Sequence, residues 1–138
     1  MSQLGITYRR SPPLSSDTLD ALFATAWPAH APRDFAAVLQ RSLAYVAAFD
    51  GAQLVGFVNV AWDGGSHGFL LDTTVHRDYQ RRGIGAALLR EATAAARERG
   101  LAWLHVDFEP ELEGFYRAAG FAPTSAGLLR LVACAKSQ

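Results

Sequence analysis

The stretch HRDYQRRGIGAALLREA, residues 76 to 92, decides how this chain can fold. It starts as a loop with Arg77, Arg81 and Arg82, passes through Gly83-Ile84-Gly85 and continues directly into apolar residues at helical spacing. The whole chain carries 13 Lys plus Arg and 13 Asp plus Glu, so its formal net charge is zero. The neutral total gives no support for a nucleic acid or an anionic membrane as partner, so any anion site must be local.

Length and composition predict one folded domain over residues 1–138. Hydrophobic residues make up 50% of the chain and charged residues 19%, which is too apolar for disorder. No apolar run approaches the roughly 20 residues of a membrane span, and the start MSQLGITYRRSPPL lacks the apolar core of a signal peptide. We therefore expect a cytoplasmic protein with no membrane partner. The single cysteine, Cys134, excludes an internal disulfide, and no spacing among the four histidines predicts a metal site.

Hydrophobic periodicity and turn residues predict the remaining elements. Strands are expected at residues 4–9, 43–49, 53–62, 68–75, 102–107 and 121–133. Helices are expected around 19–26, after the capping residue Asp34, at 83–99 and at 111–119, and Asp50-Gly51 predicts a hairpin. The order is β-α-α-β-β-β-α-β-α-β. A helix joins the strands at 68–75 and 102–107, so this single α/β (α+β) domain should have one parallel pair in a mixed, mostly antiparallel sheet.

The loop at 76–82 leaves a parallel strand at its carboxyl end, which is where α/β sheets bind ligands. The first N–H groups of the following helix lack internal partners and favour a phosphate, and Gly83 and Gly85 let the main chain approach it. This predicts a pyrophosphate site, unless the arginines are a solvated loop and the glycines only turn residues. No Walker sequence is present. A dinucleotide fold is disfavoured because Leu88 stands at the third glycine position, although Asp107 has the place of a ribose-binding acid.

Two motifs give the chain a family resemblance. QRRGIGAALL, residues 80 to 89, preceded by LDTTVHRDY, resembles the Q/R-x-x-G-x-G/A signature of the GCN5-related N-acetyltransferase superfamily. GFYRAAGF, residues 114 to 121, resembles a second motif, and the order of elements is similar too. The resemblance implies central parallel strands that splay apart at a cleft for acetyl-CoA, and acetyl transfer by direct attack to a primary amine of a small molecule or peptide. Family habit also favours a homodimer.

The resemblance assigns the cofactor contacts residue by residue. The backbone of Val75 and Arg77 would pair with the pantetheine arm like an added strand. The pyrophosphate would contact the backbone N–H groups of Gln80, Arg81, Arg82, Gly83, Ile84, Gly85 and Ala86. These contacts use the main chain, so the residue type would matter only at Gly83 and Gly85. A Cβ at either position would meet the ligand or strain the turn.

Tyr116 is the candidate general acid. The resemblance implies that it protonates the leaving CoA thiolate, while a backbone N–H near Val75 stabilises charge on the thioester oxygen. The residues alone allow a second interpretation, because Tyr116 belongs to a helical stripe with Leu112, Phe115 and Ala119 and its ring could simply pack in the core.

Asp72 is the first candidate for the general base, because an ordinary alkylamine is protonated at neutral pH and must lose a proton before it attacks. Strand alternation puts Asp72 and Thr74 on one face, and the carboxylate would act directly or through a water. The role requires burial or a nearby like charge, and the alternative is an aspartate with only a hydrogen-bonding task. Glu109, Glu111 and His67 are weaker candidates.

Two further segments bear on activity and substrate. The superfamily pattern Asn-x-x-Ala ahead of the tyrosine is replaced here by Glu109 and Leu112, which keeps open a module that binds acyl-CoA without catalysis. By resemblance, the loop after the first helix borders the acceptor cleft. Trp27, His30 and Phe35 would then form an aromatic pocket, unless the loop is a proline-stiffened connection with Trp27 in the core.

Overall fold

The computed structural model of the protein describes residues 5–132. Its strands are β1 (Ile6–Arg10), β2 (Ala44–Asp50), β3 (Gln53–Trp62), β4 (His67–Val75) and β5 (Trp103–His105). Its helices are α1 (Ser16–Ala26), α2 (Ala36–Arg41), α3 (Ile84–Glu98) and α4 (Glu113–Ala118), with single 3-10 turns at Arg77–Tyr79 and Pro110–Leu112. The predicted order is therefore confirmed from the first strand to the last helix. No described helix is long and apolar enough to cross a membrane.

The five strands form one sheet in the order β1-β2-β3-β4-β5. Neighbours from β1 to β4 are antiparallel, whereas β4 and β5 are parallel and α3 connects them. The predicted mixed α/β fold is confirmed. The predicted hairpin joins β2 and β3, but its two turn residues are Gly51 and Ala52, since Asp50 already pairs with Gln53. Gly51 has a φ of 61°, the left-handed conformation that favours glycine in such a turn.

A hydrophobic core covers each face of the sheet. On one face α3 buries Ile84, Leu88 and Ala92 against β2 and β3. Gly56 of β3 permits this approach, because a Cβ there would lie 3.0 Å from Leu88 Cδ1 and 3.2 Å from Ile84 Cγ2. The first turn of α3 is therefore fixed directly on the sheet. The core on the other face, beneath α1, comprises Leu19, Leu22, Phe23, Phe35, Tyr45, Ala47, Leu54 and Phe57.

The predicted last strand, at 121–133, is wrong for the residues that the structure describes. Phe121 packs against the α3 core, but residues 122–132 contain no strand, and residue 133 lies outside the described part. β5 is also shorter than the predicted 102–107. The physical reason is common to both: apolar residues give strand propensity, but a strand forms only where its backbone groups have a partner, and these segments lack one.

Asp20 on α1 holds the connection between α1 and α2. Its Oδ1 lies 2.7 Å from His30 Nε2 and accepts a hydrogen bond from the backbone N–H of Arg33 at 3.0 Å. Asp34 Oδ1 then accepts from the N–H of Ala36 at the start of α2, as predicted. The hydrogen bond with His30 is the main cause that lowers the pKa of Asp20.

The lowered pKa of Asp20 predicts a pH-dependent contribution to stability. A carboxyl whose pKa falls on folding stabilises the fold above its unfolded value of about 3.9, and this contribution disappears as the pH falls through the folded pKa. Asp20→Asn should therefore lower Tm near neutral pH, and its difference from the wild type should shrink towards about pH 3. Asp17→Asn is the matched control on the same helix, because Asp17 is exposed and has no described hydrogen bond. A difference for Asp20→Asn that is constant from neutral to acid pH would contradict the assignment.

Candidate active site

β4 and β5 separate soon after they begin. They pair only at His67↔Trp103, Gly68↔Leu104 and Phe69↔His105. β4 continues to Val75, so residues 70–75 have β3 on one side and no strand from residues 5–132 on the other. The splayed parallel pair that the sequence predicted is therefore present, and it leaves backbone hydrogen-bonding groups of β4 facing an open cleft.

The backbone of Val75 points into this cleft. Val75 stands opposite Gly56, and the next residue, His76, donates its N–H to the carbonyl of Val55 at 2.8 Å. Because backbone groups alternate sides along a strand, the N–H and C=O of Val75 face away from β3. The carbonyl accepts a hydrogen bond from Gln80 Nε2 at 3.0 Å and retains a second lone pair. The N–H of Val75 is thus directed towards the position predicted for a ligand.

A bulge in β4 shapes the wall of the cleft. Phe57 pairs with Thr74 and Asn59 with Leu71, so three steps on β4 oppose two on β3. Asp72, inside the bulge, has a φ of 60°, which is uncommon for a residue other than glycine. Bulges redirect side chains beside functional sites, and this one directs Asp72 towards the α1–α2 connection.

The predicted common face of Asp72 and Thr74 is present. Asp72 Oδ1 lies 3.7 Å from Arg33 Nη1, and Thr74 Oγ1 accepts from Trp27 Nε1 at 3.0 Å, so both reach the α1–α2 connection. The side chain of Asp72 is 28% exposed and its described charged partner is a cation. Its role as general base stays a prediction.

The N-terminus of α3 faces the same cleft. Gly83 precedes the helix in the left-handed conformation, with φ 83°, and no side chain caps the first turn. The first N–H with an acceptor inside the helix is that of Ala87, which donates to the Gly83 carbonyl at 3.1 Å. The N–H groups of Ile84, Gly85 and Ala86 are left to bind something else, and their partial positive charge favours an anion.

Two contacts fasten the loop between β4 and α3 to the rest of the fold. The backbone N–H of Arg77 donates to Thr25 Oγ1 at 3.1 Å, and its Nε donates to the Thr25 carbonyl at 3.0 Å. Tyr79 donates its hydroxyl to Asp50 Oδ2 at 2.6 Å, and this hydrogen bond raises the pKa of Tyr79. The loop is therefore tied both to the end of α1 and to the β2–β3 hairpin before any ligand binds.

The three loop arginines differ in their environments. Arg77 is bound to Thr25, and Arg82 donates to the Asp78 carbonyl at 3.1 Å with its guanidinium 4.9 Å from the centre of the Tyr79 ring. Arg81 is exposed, has a φ of 65°, and its side chain makes no hydrogen bond, ion pair or ring contact with the part of the chain that the structure describes. Arg81 is therefore the cation of this loop whose charge is directed to solvent or to a ligand.

α4 closes the end of the cleft with aromatic rings. A Cβ on Gly85 would lie 3.2 Å from Phe115 Cζ and 3.7 Å from Val75 Cγ2, so the start of α3, the end of β4 and α4 meet at one point. The ring of Tyr116, the next residue, is 5% exposed and stacks on Phe108 at 4.9 Å. The interpretation that the ring of Tyr116 packs in the core is therefore correct.

The hydroxyl of Tyr116, unlike its ring, is not enclosed by the core. It has no hydrogen-bond partner among the described residues, and the described residues contain no fully buried side-chain oxygen that lacks a partner. The hydroxyl therefore reaches solvent while its ring is held by Phe108, Phe115 and Phe121. This is the geometry that a proton donor at the edge of a cleft needs, and the acid role itself stays a prediction.

The predicted aromatic pocket is only partly present. Phe35 is 1% exposed and packs on Phe23 in the core, and His30 is bound to Asp20, so neither lines an open cleft. Trp27 is 50% exposed, which makes its predicted place in the core wrong. Its hydrogen bond to Thr74 was not predicted, because no sequence pattern relates the end of α1 to a bulged strand.

The weaker candidates for the general base are His67, Glu109 and Glu111. His67 Nδ1 lies 2.8 Å from His105 Nε2, at the paired ends of β4 and β5 and away from the splay. Glu109 and Glu111 are exposed and their side chains make no described hydrogen bond, and Leu112 is 41% exposed. Among the residues from 5 to 132 there is no group of three or more His, Cys, Asp or Glu that could hold a metal.

A comparison of sequences relates this geometry to known proteins. The model of the acetyltransferase (GNAT) family matches residues 13–121. The chain belongs to this family. The dinucleotide-fold interpretation is therefore wrong, as the antiparallel order of β1 to β4 also indicates.

Two curated relatives cover part of this GNAT chain. It is 39% identical over 71 residues to Mycothiol acetyltransferase of Mycolicibacterium vanbaalenii, and the aligned region covers 51% of this chain and 23% of that protein. It is 28% identical over 76 residues to the Uncharacterized N-acetyltransferase ycf52 of Porphyra purpurea, and the aligned region covers 55% of this chain and 44% of that protein. The matched part spans less than half the length of either relative.

Solved GNAT structures share the whole fold. A GNAT family acetyltransferase from Streptococcus pneumoniae has a TM-score of 0.74 at 26% identity, covering 92% of this chain and 99% of that one. The aminoglycoside N-acetyltransferase AAC(6')-Iy, in complex with the bisubstrate analog CoA-S-monomethyl-acetylneamine, has a TM-score of 0.72 at 19% identity, covering 94% and 99%. At that identity the second likeness shows the fold alone.

The different environments of Arg77 and Arg81 predict different effects of their removal. Arg81→Gln should weaken CoA binding about fivefold at low salt, as for one partly screened charge pair worth about 1 kcal/mol, with little change in Tm. Arg77→Gln is the matched control, and it should lower Tm because it breaks the side-chain contact with Thr25. Calorimetric titration at two salt concentrations and thermal melts would check both. A loss for Arg81→Gln that does not depend on salt would contradict the assignment.

Proposed function

We propose that this protein is an N-acetyltransferase that moves an acetyl group from acetyl-CoA to a primary amine of a small molecule or peptide. The observation that carries the proposal is the continuity between the unpaired edge of β4 and the uncapped N-terminus of α3. Together they offer strand-like backbone groups followed by a cluster of free N–H groups. Acetyl-CoA has amides followed by a pyrophosphate, in the same order.

The backbone of the cleft fits the two parts of that molecule. Val75 supplies an N–H and a carbonyl lone pair to an amide-containing arm, as a neighbouring strand would. The N–H groups of Ile84, Gly85 and Ala86 receive the pyrophosphate, and Arg81 adds a full positive charge beside them. These contacts use the main chain, so Gly83 and Gly85 are the positions at which the residue type matters most.

The side chains around the cleft suit direct transfer in a ternary complex. Acetyl-CoA supplies a thioester carbonyl, which the amine attacks. A backbone N–H near Val75 donates to the oxygen where negative charge develops. Asp72 accepts the proton of the amine, directly or through a water, and the Tyr116 hydroxyl gives a proton to the departing sulfur.

The similarity to known acetyltransferases supports a small amine as acceptor. They include a mycothiol acetyltransferase, aminoglycoside acetyltransferases and a serotonin N-acetyltransferase from Oryza sativa, and the last is 34% identical over 68 residues. A small molecule is named for all three, and N-acetylation for the last two, so an amine on a small molecule is the proposed acceptor here. The neutral net charge of the chain supports an acceptor other than nucleic acid. The cytoplasmic location stays a prediction from the sequence.

Gly85→Glu tests the proposed cofactor site. The new Cβ would lie 3.2 Å from Phe115 Cζ, and the carboxylate would add negative charge beside the N–H groups proposed for the pyrophosphate. Acetyl-CoA and CoA affinity should therefore fall by about two orders of magnitude or more. Ala37→Glu is the control, since it adds the same charge on the exposed surface of α2. Calorimetry with acetyl-CoA, CoA and NAD is the measurement. Absence of acetyl-CoA binding to the folded wild type, or stronger binding of NAD, would overturn the proposal.

Tyr116→Phe tests the proposed acid. The ring contacts with Phe108 and Phe121 remain, so Tm and acetyl-CoA affinity should stay the same. Turnover should fall by about one to two orders of magnitude, as for the loss of general acid catalysis. The measurement is thiol release with the best acceptor from a panel of amines. Tyr45→Phe is the control, because its hydroxyl donates to the Pro12 carbonyl on the α1 face. Unchanged turnover in Tyr116→Phe would remove this residue from the mechanism.

A second candidate function is a module that binds acyl-CoA without catalysis. It is favoured by the exposed Glu109 and Leu112, which replace the superfamily's polar pattern, and by the open, cation-paired position of Asp72. Tight acetyl-CoA binding without thiol release across a broad amine panel would support it. Amine-dependent thiol release would exclude it.

A further inference from the structure

An open strip of apolar and aromatic side chains lies on the outer part of the sheet. Phe69 and Leu71 of β4 are 38% and 45% exposed, and Trp103 of β5 is 64% exposed. The rings of Phe69 and His105 stack, with their centres 4.7 Å apart. These four residues are here called the strip. Exposed apolar side chains that lie next to one another commonly mark a binding surface.

The strip lies on the face of the sheet that α1 covers over β2 and β3. Phe57 of β3 packs in the core beneath α1, and Asn59 and Ala61 face the same way because they follow at steps of two. Asn59 pairs with Leu71, and Ala61 pairs with Phe69. Directly paired residues share a face, and Phe69 pairs in turn with the β5 residue on which it stacks. The strip is therefore on the face opposite α3.

The strip ends at a carboxylate. Asp72 follows Leu71 directly, and the bulge turns it to the same face, where its Oδ1 lies 3.7 Å from Arg33 Nη1. Thr74 Oγ1 donates to the Asp72 carbonyl at 3.0 Å and accepts from Trp27 Nε1 at 3.0 Å, which fixes the half-exposed indole near Asp72. One surface thus joins a carboxylate, in the part of β4 that β5 does not pair with, to rings and a leucine along both strands.

We propose that the acceptor is a monoamine with an apolar or aromatic body, and that this body lies on the strip while the amine reaches Asp72. The inference rests on the proposed function and names its acceptor class. Residues two apart on a strand are separated by about 7 Å. A straight alkyl chain, or a ring carried on a short alkyl chain, therefore extends from Asp72 over Leu71 towards Phe69.

The transfer itself is the one proposed above. The ammonium group of the acceptor loses one proton to Asp72 or to solvent. Its nitrogen then bonds to the acetyl carbon, and the carbon–sulfur bond breaks. The second proton lost by the nitrogen balances the proton that the departing sulfur takes up. The strip takes no part in these steps, so its contribution is to hold the body of the acceptor.

Charge limits the acceptor to one ammonium group. Asp72 is the carboxylate at the end of the strip, and Arg33 already lies 3.7 Å from it. None of the four residues of the strip is acidic. A second ammonium group lying on the strip would lose water without gaining a carboxylate, which is unfavourable. An acceptor with several ammonium groups should therefore be used less well than an apolar monoamine.

Acetyl transfer to matched amines tests the acceptor class. Hexylamine and 1,6-diaminohexane share a six-carbon chain and differ by the distal ammonium group. Thiol release should give a kcat/KM about tenfold or more higher for hexylamine. From propylamine to hexylamine, kcat/KM should rise about fourfold per methylene, as for burial of each group. A series without this rise, or a preference for 1,6-diaminohexane or kanamycin, would overturn the inference and leave acetyl transfer standing.

Leu71→Ser tests the strip itself. The side chain is 45% exposed, so thermal melts and far-UV circular dichroism should show a folded protein. The preference for hexylamine over propylamine should fall about fivefold or more, because the chain loses an apolar contact, and the KM for acetyl-CoA should not change. Leu128→Ser is the matched control, since Leu128 is 86% exposed and lies outside the strip. A Leu71→Ser variant with the full preference for hexylamine would contradict the inference.

A binding measurement separates this inference from the proposed reaction. Calorimetric titration of hexylamine and of 1,6-diaminohexane into the CoA-saturated protein needs no turnover, and hexylamine should bind about tenfold tighter. That result without thiol release from acetyl-CoA would overturn acetyl transfer but support the strip as a monoamine site. Thiol release with equal or tighter binding of the diamine would do the reverse. Absence of both amine binding and thiol release would overturn both.

Discussion

The separation of β4 from β5 after three paired residues is the constraint on which the rest of the structure depends. Backbone groups along residues 70–75 lose a strand partner and must be satisfied by something else. The site that results consists mainly of main-chain groups, from Val75 to the first turn of α3. A site of this kind constrains few side chains, which agrees with a fold shared with solved structures at only 19% to 26% identity.

The loop between β4 and α3 is organised before a ligand arrives. Arg77 holds it to α1, Tyr79 to the β2–β3 hairpin, and Gln80 to the end of β4. Gly56 contributes from beneath, because its lack of a Cβ lets the first turn of α3 lie close to the sheet. A loop held in this way loses little entropy on binding, so more of the interaction energy contributes to affinity.

The sequence predicted the elements whose signals are local, and it failed where partners are distant. The α3 stripe, the hairpin at Gly51 and the parallel pair followed from periodicity and connection rules. The bulge at Asp72 and the contact of Trp27 with Thr74 did not, since the first is a register shift between β3 and β4 and the second joins residues 47 positions apart. The strand expected at 121–133 failed for a related reason. Propensity describes a segment, whereas a strand needs a partner, and none of the described residues pairs with residues 122–132.

The most direct test of the cleft is amide hydrogen exchange with and without CoA, followed residue by residue. If the edge of β4 and the start of α3 form one binding surface, CoA should slow exchange at the amides of Val75, Ile84, Gly85 and Ala86 together. Amides on the β1–β2 side of the sheet should not change. Protection at the α3 amides without any at Val75 would leave only an anion site at a helix N-terminus. Protection at neither would contradict the account.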